Sequence, residues 1–426
     1  MHTDAAVSVP AASRAPREVR AAIDFGRAPF LVVWEVTRAC ALACLHCRAD
    51  AIPRRDPREL STEEGFRLIE EIRAFRDPPP FLVLTGGDPM WRKDLVDLVA
   101  HAAAIGLTVA LTPSGTAAVT HQRLRELRDA GLNRVAVSLD GPDPDSHDTF
   151  RGVRGSYRWT MRIIDDVLAL GMPLQINTTV SRRTLPMFAT MAARVAEWPL
   201  ALWAVFFLVQ TGRGTSMEQI GAEECEDVLT RLHAFSRTVR FPVKTTEAPH
   251  YHRVALTALA ANAGWAGPTA GPPGRPTGLR APRTVTDGNG FVFVDHIGQI
   301  CPSGFLPLVR GTVRRDSLLS VYRDDDVFRR LRDPEALEGK CGRCAFRAVC
   351  GGSRSRAYAA TGNPFESDPL CAYVPGRDSV SGEGQRVEGF AVEQHEAVLF
   401  RADHALLSPS AHDPDGRLDR RAREIG

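Results

Sequence analysis

The chain is 426 residues long, with 53 Lys plus Arg against 51 Asp plus Glu, 44% hydrophobic residues and 7% aromatic ones. Such a chain buries a core without disulfide staples, and at about 150 residues per domain it holds two or three domains. A net charge of +2 argues against the concentrated basic face that an extended nucleic acid requires, and apolar runs such as Leu202 to Val209 fall far short of the roughly 20 residues of a membrane helix.

Residues 1–28 mix Ala with Arg and Asp and lack the apolar stretch of a secretory signal, so they read as a flexible segment and a cytoplasmic location is expected. From residue 29 to 240, short β-rich runs alternate with segments of helical period. Six runs read as strands: Pro29 to Val36, Phe81 to Thr85, Leu107 to Thr112, Arg134 to Leu139, Leu174 to Val180 and Leu202 to Val209. Their apolar character suits strands buried on both faces of a parallel sheet. Between the first two, Ser61-Thr62-Glu63-Glu64 has the pattern of a helix-capping box, and Thr160 to Leu170 and Cys225 to Phe235 carry apolar residues at helical spacing. Six strand–helix units in series predict an α/β fold with right-handed crossovers, curved into an open barrel or laid out as a doubly wound sheet. Either arrangement puts the active site at the carboxyl ends of the strands.

Residues 241–282, dense in Gly and Pro from Asn262 to Pro282, read as a linker and substrate-side loop. Phe291 to Val294 followed by Gly298 reads as a short hairpin within a small domain over 283–375, and residues 376–426 as a polar, peripheral tail.

In a reducing compartment, clustered cysteines serve as metal ligands or catalytic thiols. Of the nine here, Cys40, Cys44 and Cys47 follow the first strand directly. Three thiolates on a loop at the carboxyl edge of a sheet can converge on one cuboidal cluster and leave one metal position open for chemistry. Cys341, Cys344, Cys350 and Cys371 form a second group. Four thiolates close either a structural zinc site or a complete iron–sulfur cluster, and spacing does not choose between them.

The Cx3Cx2C spacing after strand one of a six-fold βα series resembles the radical SAM superfamily. That resemblance implies a partial (β/α)6 barrel and a 4Fe-4S cluster on Cys40, Cys44 and Cys47, whose open iron binds S-adenosylmethionine, with His46 where the family has an aromatic residue near the adenine. Gly86-Gly87-Asp88-Pro89 resembles the loop that takes the methionine amino group, with Asp88 standing where Glu is usual. Ser138 and Asp140 resemble the ribose and carboxylate region, Arg151 a partner for the methionine carboxylate, and Ser114 and Asn177 complete the polar ring. The text around the second cysteine group resembles the SPASM extension, a small C-terminal iron–sulfur domain. Ser353 and Asp316 stand where the full SPASM pattern has cysteines, which implies one auxiliary 4Fe-4S cluster, on Cys341, Cys344, Cys350 and Cys371. Cys225 reads as a core hydrophobe and Cys301 as a buried thiol.

The resemblance implies an oxidoreductase that cleaves S-adenosylmethionine to a 5′-deoxyadenosyl radical, draws electrons from a flavodoxin or ferredoxin, and oxidatively modifies an organic substrate. Trp34 to Cys40 and Thr246 to Arg253 resemble the haem-biosynthesis branch, which acts on tetrapyrrole propionates, and Arg213, His250, His252 and Arg253 are its candidate carboxylate partners. The alternatives are maturation of a ribosomally made peptide and, in another class, a non-catalytic iron–sulfur or zinc protein. The glycine loop and the polar ring speak against the last, because a carrier needs no small-molecule cavity.

Overall fold

The computed structural model describes residues 24–262 and 284–376. The expectations for the N-terminal segment, most of the Gly/Pro-rich stretch and the polar tail therefore fall largely outside the described residues.

Seven parallel strands cross the sheet in chain order: β1 (Leu31–Glu35), β2 (Phe81–Thr85), β3 (Val109–Leu111), β4 (Arg134–Ser138), β5 (Leu174–Val180), β6 (Leu202–Phe207) and β7 (Val243–Thr246). The helices between and after them are α1 (Thr62–Arg73), α2 (Leu95–Ala104), α3 (His121–Asp129), α4 (Pro144–Arg151), α5 (Ser156–Ala169), α6 (Phe188–Val195), α7 (Ala222–Ser236) and α8 (His250–Asn262). Side chains alternate across each strand. On the outer face, Val32, Trp34, Leu82, Leu84, Val135 and Val137 join Leu68, Ile69, Leu98, Ile163 and Ile164 of the helices in one core. The inner face, with Val33, Val83, Ala136 and Ala204, surrounds a cavity to which both ends of the β1–β7 run contribute, so the sheet is curved round it as a partial barrel.

Helix α1 begins where the capping box places it. The Ser61 hydroxyl accepts from the Glu64 amide, and the Glu64 carboxylate accepts from the Ser61 amide. Ser61→Ala should therefore lower stability by about 1 kcal/mol, read from equilibrium denaturation.

Two expectations need correction. The stretch 241–262 is not linker: Val243–Thr246 pairs in parallel with β6, and α8 follows. Half-exposed Lys244-Thr245-Thr246 gave this strand no apolar run to announce it. The C-terminal hairpin is also not separate from the barrel. Strand β8 (Phe291–Val294) pairs in parallel with β1, while β9 (Gln299–Cys301) and β10 (Gly311–Thr312) add antiparallel strands outside it, giving one ten-stranded sheet. Beyond it lie α9 (Leu318–Asp324), α10 (Asp326–Leu331), α11 (Gly339–Gly342) and α12 (Arg354–Thr361). Among the described residues, no helix is long and apolar enough to cross a membrane.

Candidate active site

A cavity of about 390 Å3 opens on the inner face of the sheet, lined on one side by Cys40, Cys44 and Cys47 and on the other by Glu247, Asp287 and Ser353. The cysteine loop is fixed by backbone hydrogen bonds to α4, from Ala43 to Arg151 (3.2 Å) and from Leu45 to Phe150 (3.0 Å). All three thiols are free. Burial pushes the Cys40 thiol up to about 11, against the opposing hydrogen bond from Ser114, so metal binding here must displace protons. Arg151 places Nη1 3.7 Å from Cys44 Sγ, a cation beside the ligand set.

His46 lines the cavity and stacks on Phe150, with ring centroids 4.4 Å apart. Burial, reinforced by Arg151, lowers it to about 3, so it is a neutral flat ring at physiological pH. Gly86, Gly87, Ser114, Ser138 and Asn177 also line the cavity. The paired glycines answer a close approach: an added Cβ would lie 2.4 Å from the Thr37 carbonyl oxygen at Gly86 and 2.5 Å from that of Ala39 at Gly87. The loop thus lies flat against the segment leading into Cys40.

Three residues assigned to the cofactor lie behind the wall instead of in it. Asp88 is fully buried, its carboxylate accepting from the Met90 amide (3.2 Å) and the Thr116 hydroxyl (2.8 Å), and Pro89 opens the buried turn after it. Asp140 accepts from the Thr179 amide at 2.6 Å and pairs with Arg151. Its side chain thus holds Arg151 in place and does not reach the cavity. A short acid at a strand end is pulled inward wherever amides and a guanidinium await it.

Of the four carboxylate candidates, His252 and Arg213 line the main cavity, but His250 and Arg253 line a small one formed by the second cysteine group. Arg213 spends Nε on the Cys44 carbonyl and Nη1 on that of Ala51, both at 3.0 Å, and so clamps the cluster loop. His250 Nε2 stands 3.2 Å from Asp368, and Arg253 pairs with Glu226. These last two are therefore corrected from substrate partners to supports of the second site.

That second cavity gathers Cys341, Cys344, Cys350 and Cys371. Cations surround them: Arg354 donates to Cys341 Sγ at 3.5 Å, Lys340 donates to the Cys371 carbonyl, and Arg253 lies across the Tyr373 ring. Positive charge around thiolates offsets the charge a tetrathiolate site accumulates. Among the described residues, no three His, Cys, Asp or Glu side chains are arranged round a single ion; a cuboidal cluster asks for less convergence, since each thiolate meets a different iron. Cys225 and Cys301 are buried on α7 and β9, and Asp316 accepts from the Thr312 amide at 2.8 Å as a turn cap.

Three features escaped the sequence. Arg48 bonds Glu35 at 2.6 Å and lies over Phe293, tying the cluster loop to the hairpin. Arg134 points into the cavity from the start of β4, where an isolated Arg reads as a strand boundary. Glu247, a non-glycine residue at φ 59°, is half-buried beside Asp287 and is bonded by the Ser353 and Ser355 hydroxyls. Ser353, in place of a SPASM cysteine, is thus a hydrogen-bond donor to this acid. Burial and the neighbouring Asp287 hold the Glu247 carboxyl well above its usual range. A carboxyl raised on folding stabilises most below its unfolded value, and that stability is lost as pH rises. Glu247→Gln should therefore melt above the wild type, with the gap widening from pH 5 to pH 8 by at most about 1.4 kcal/mol per pH unit.

A family model described as the radical SAM superfamily matches residues 34–186. The chain is 40% identical over 350 residues to the AdoMet-dependent heme synthase of Oleidesulfovibrio alaskensis, covering 81% of this chain and 87% of the relative. It is 35% identical over 363 residues to the AdoMet-dependent heme synthase of Methanosarcina barkeri, covering 83% and 99%. The fold is similar to that of Streptococcus suis SuiB bound to S-adenosylmethionine, with a TM-score of 0.62 at 14% identity over 82% of this chain and 78% of that one. The chain is a radical SAM enzyme and belongs to the radical SAM superfamily.

Proposed function

We propose that this enzyme oxidatively decarboxylates propionate side chains of an iron tetrapyrrole to vinyl groups, with S-adenosylmethionine as the source of the radical. The observation that carries the reading is the aromatic wall of Phe206, Phe293 and Phe305 in the cavity beside the cysteine loop, suited to a flat macrocycle, in a chain 40% identical to a protein named AdoMet-dependent heme synthase.

Cys40, Cys44 and Cys47 would hold the 4Fe-4S cluster, and three buried or half-buried thiols on one loop, with the Arg151 cation beside them, fit it. When bound, this cluster supplies one electron to the sulfonium of S-adenosylmethionine, releasing methionine and a 5′-deoxyadenosyl radical. The chain's own part is to orient the reactants and to exclude water. The neutral His46 ring offers a face for the adenine, Gly86, Gly87, Ser114, Ser138 and Asn177 supply polar groups around the nucleoside, and Arg151 meets the methionine carboxylate. Cys341, Cys344, Cys350 and Cys371 would hold an auxiliary 4Fe-4S cluster, a group able to accept electrons, and a flavodoxin or ferredoxin is the external donor. Each conversion balances as one hydrogen atom passed to the radical, one CO2 released and one electron removed.

Anaerobic incubation of reduced enzyme with S-adenosylmethionine and Fe-coproporphyrin III tests the reading. Haem and one 5′-deoxyadenosine per vinyl group are expected. An unmodified porphyrin, with turnover on a precursor peptide instead, would overturn it.

A further inference from the structure

Arg134 is an exception among the buried arginines. Arg92, Arg151, Arg253, Arg332, Arg354 and Arg356 each reach a carboxylate or a carbonyl. Arg134 is 5% exposed, its Nη1 is buried without a partner, and its side chain makes no hydrogen bond or ion pair among the described residues. Burial alone lowers the guanidinium to about 10, with no carboxylate near enough to oppose it, so it keeps its charge at neutral pH. Burying an uncompensated cation is unfavourable by several kcal/mol. A chain that retains one on a cavity wall has a use for the charge.

The position fits an anion from the substrate. Arg134, Ala136 and Ser138 project to the same face of β4 and all line the cavity. Their spacing puts Arg134 roughly 13 Å below the polar ring, at about 3.3 Å per residue. Small side chains at Ala136 and Ala204 keep the way down open, and Ala110 stands beside Arg134 in register. At the bottom, Leu31, Leu202 and Phe291 supply apolar walls, in which a charged pair strengthens because water is excluded.

We propose that Arg134 binds a carboxylate of the substrate that does not react, an anchoring propionate, and so sets which propionate faces the cysteine loop. In its substrate class this rests on the tetrapyrrole reading; the anion subsite itself does not. Arg134→Met keeps an unbranched, apolar stem and removes the charged head, whereas Arg134→Lys keeps the charge.

For the anaerobic holoenzyme, affinity for Fe-coproporphyrin III should fall 10- to 100-fold in Arg134→Met and stay within a few-fold in Arg134→Lys. Affinity for the tetramethyl ester should not change. The Met variant should melt at or above the wild-type temperature, because it sheds an unpaired buried charge. Unchanged porphyrin affinity in Arg134→Met, or lost affinity with an equally large loss for the ester, would overturn the anchor. If the wild type binds no porphyrin, the tetrapyrrole reading fails, and free propionate then decides the subsite alone. Propionate should raise the melting temperature of wild type but not of Arg134→Met; an equal response in both, or none in either, overturns the subsite.

Discussion

Cys44→Ala should abolish cleavage of S-adenosylmethionine: the reduced variant is expected to yield no 5′-deoxyadenosine above the uncatalysed background, where the wild type should yield it readily. The residue lies buried in the middle of the cysteine loop, between two backbone hydrogen bonds to α4 and beside the Arg151 guanidinium. With two thiolates left, a cuboidal cluster has two unsupported corners and is lost. Iron after anaerobic reconstitution should fall from about eight to about four per chain. The fold should survive, since deleting one small buried side chain costs on the order of 1–2 kcal/mol, so unchanged circular dichroism separates lost chemistry from lost structure. Full activity in this variant would remove the loop from the mechanism.

Cys350→Ala should separate two activities that the proposed mechanism couples. The variant should still form 5′-deoxyadenosine, because the Cys40–Cys47 loop is untouched, but its yield of vinyl product should drop by at least tenfold as the substrate-derived electron loses its acceptor. Cys350 is part-buried with Cys341, Cys344 and Cys371 as neighbours, and desolvation pushes its thiol well above the usual range. Metal is what makes such a thiolate set stable, so binding energy there is folding energy for the C-terminal region. The variant should therefore also melt below the wild type. Zinc in place of iron at this site, or coupled product formation in the variant, would dismiss the electron-acceptor role.

The strands most readable from sequence were those buried on both faces, because burial on both sides makes a run such as Val135-Ala136-Val137 apolar throughout. The two cysteine groups were readable from spacing alone. Strand β7 was not, since Lys244, Thr245 and Thr246 are half-exposed and carry no apolar signal. Direction was the other gap. In α8, His250 and Arg253 stand three residues apart and share one helical face, toward the second cysteines, while His252 points elsewhere, to the cavity. A stretch of His and Arg gives no hint of that division until the helix start is known. Asp88 and Asp140 were placed at the correct strand ends, but their inward turn depends on the Thr116 hydroxyl, the Thr179 amide and the Arg151 guanidinium, supplied by other segments. Arg134 and the Glu247–Asp287 pair needed the sheet to close round a cavity before either meant anything.

Hydrogen transfer tests the central claim most directly. With Fe-coproporphyrin III deuterated at the propionate carbon attached to the macrocycle, each turnover should place one deuterium in 5′-deoxyadenosine as a vinyl group appears. Vinyl product accompanied by deuterium-free 5′-deoxyadenosine would contradict the account.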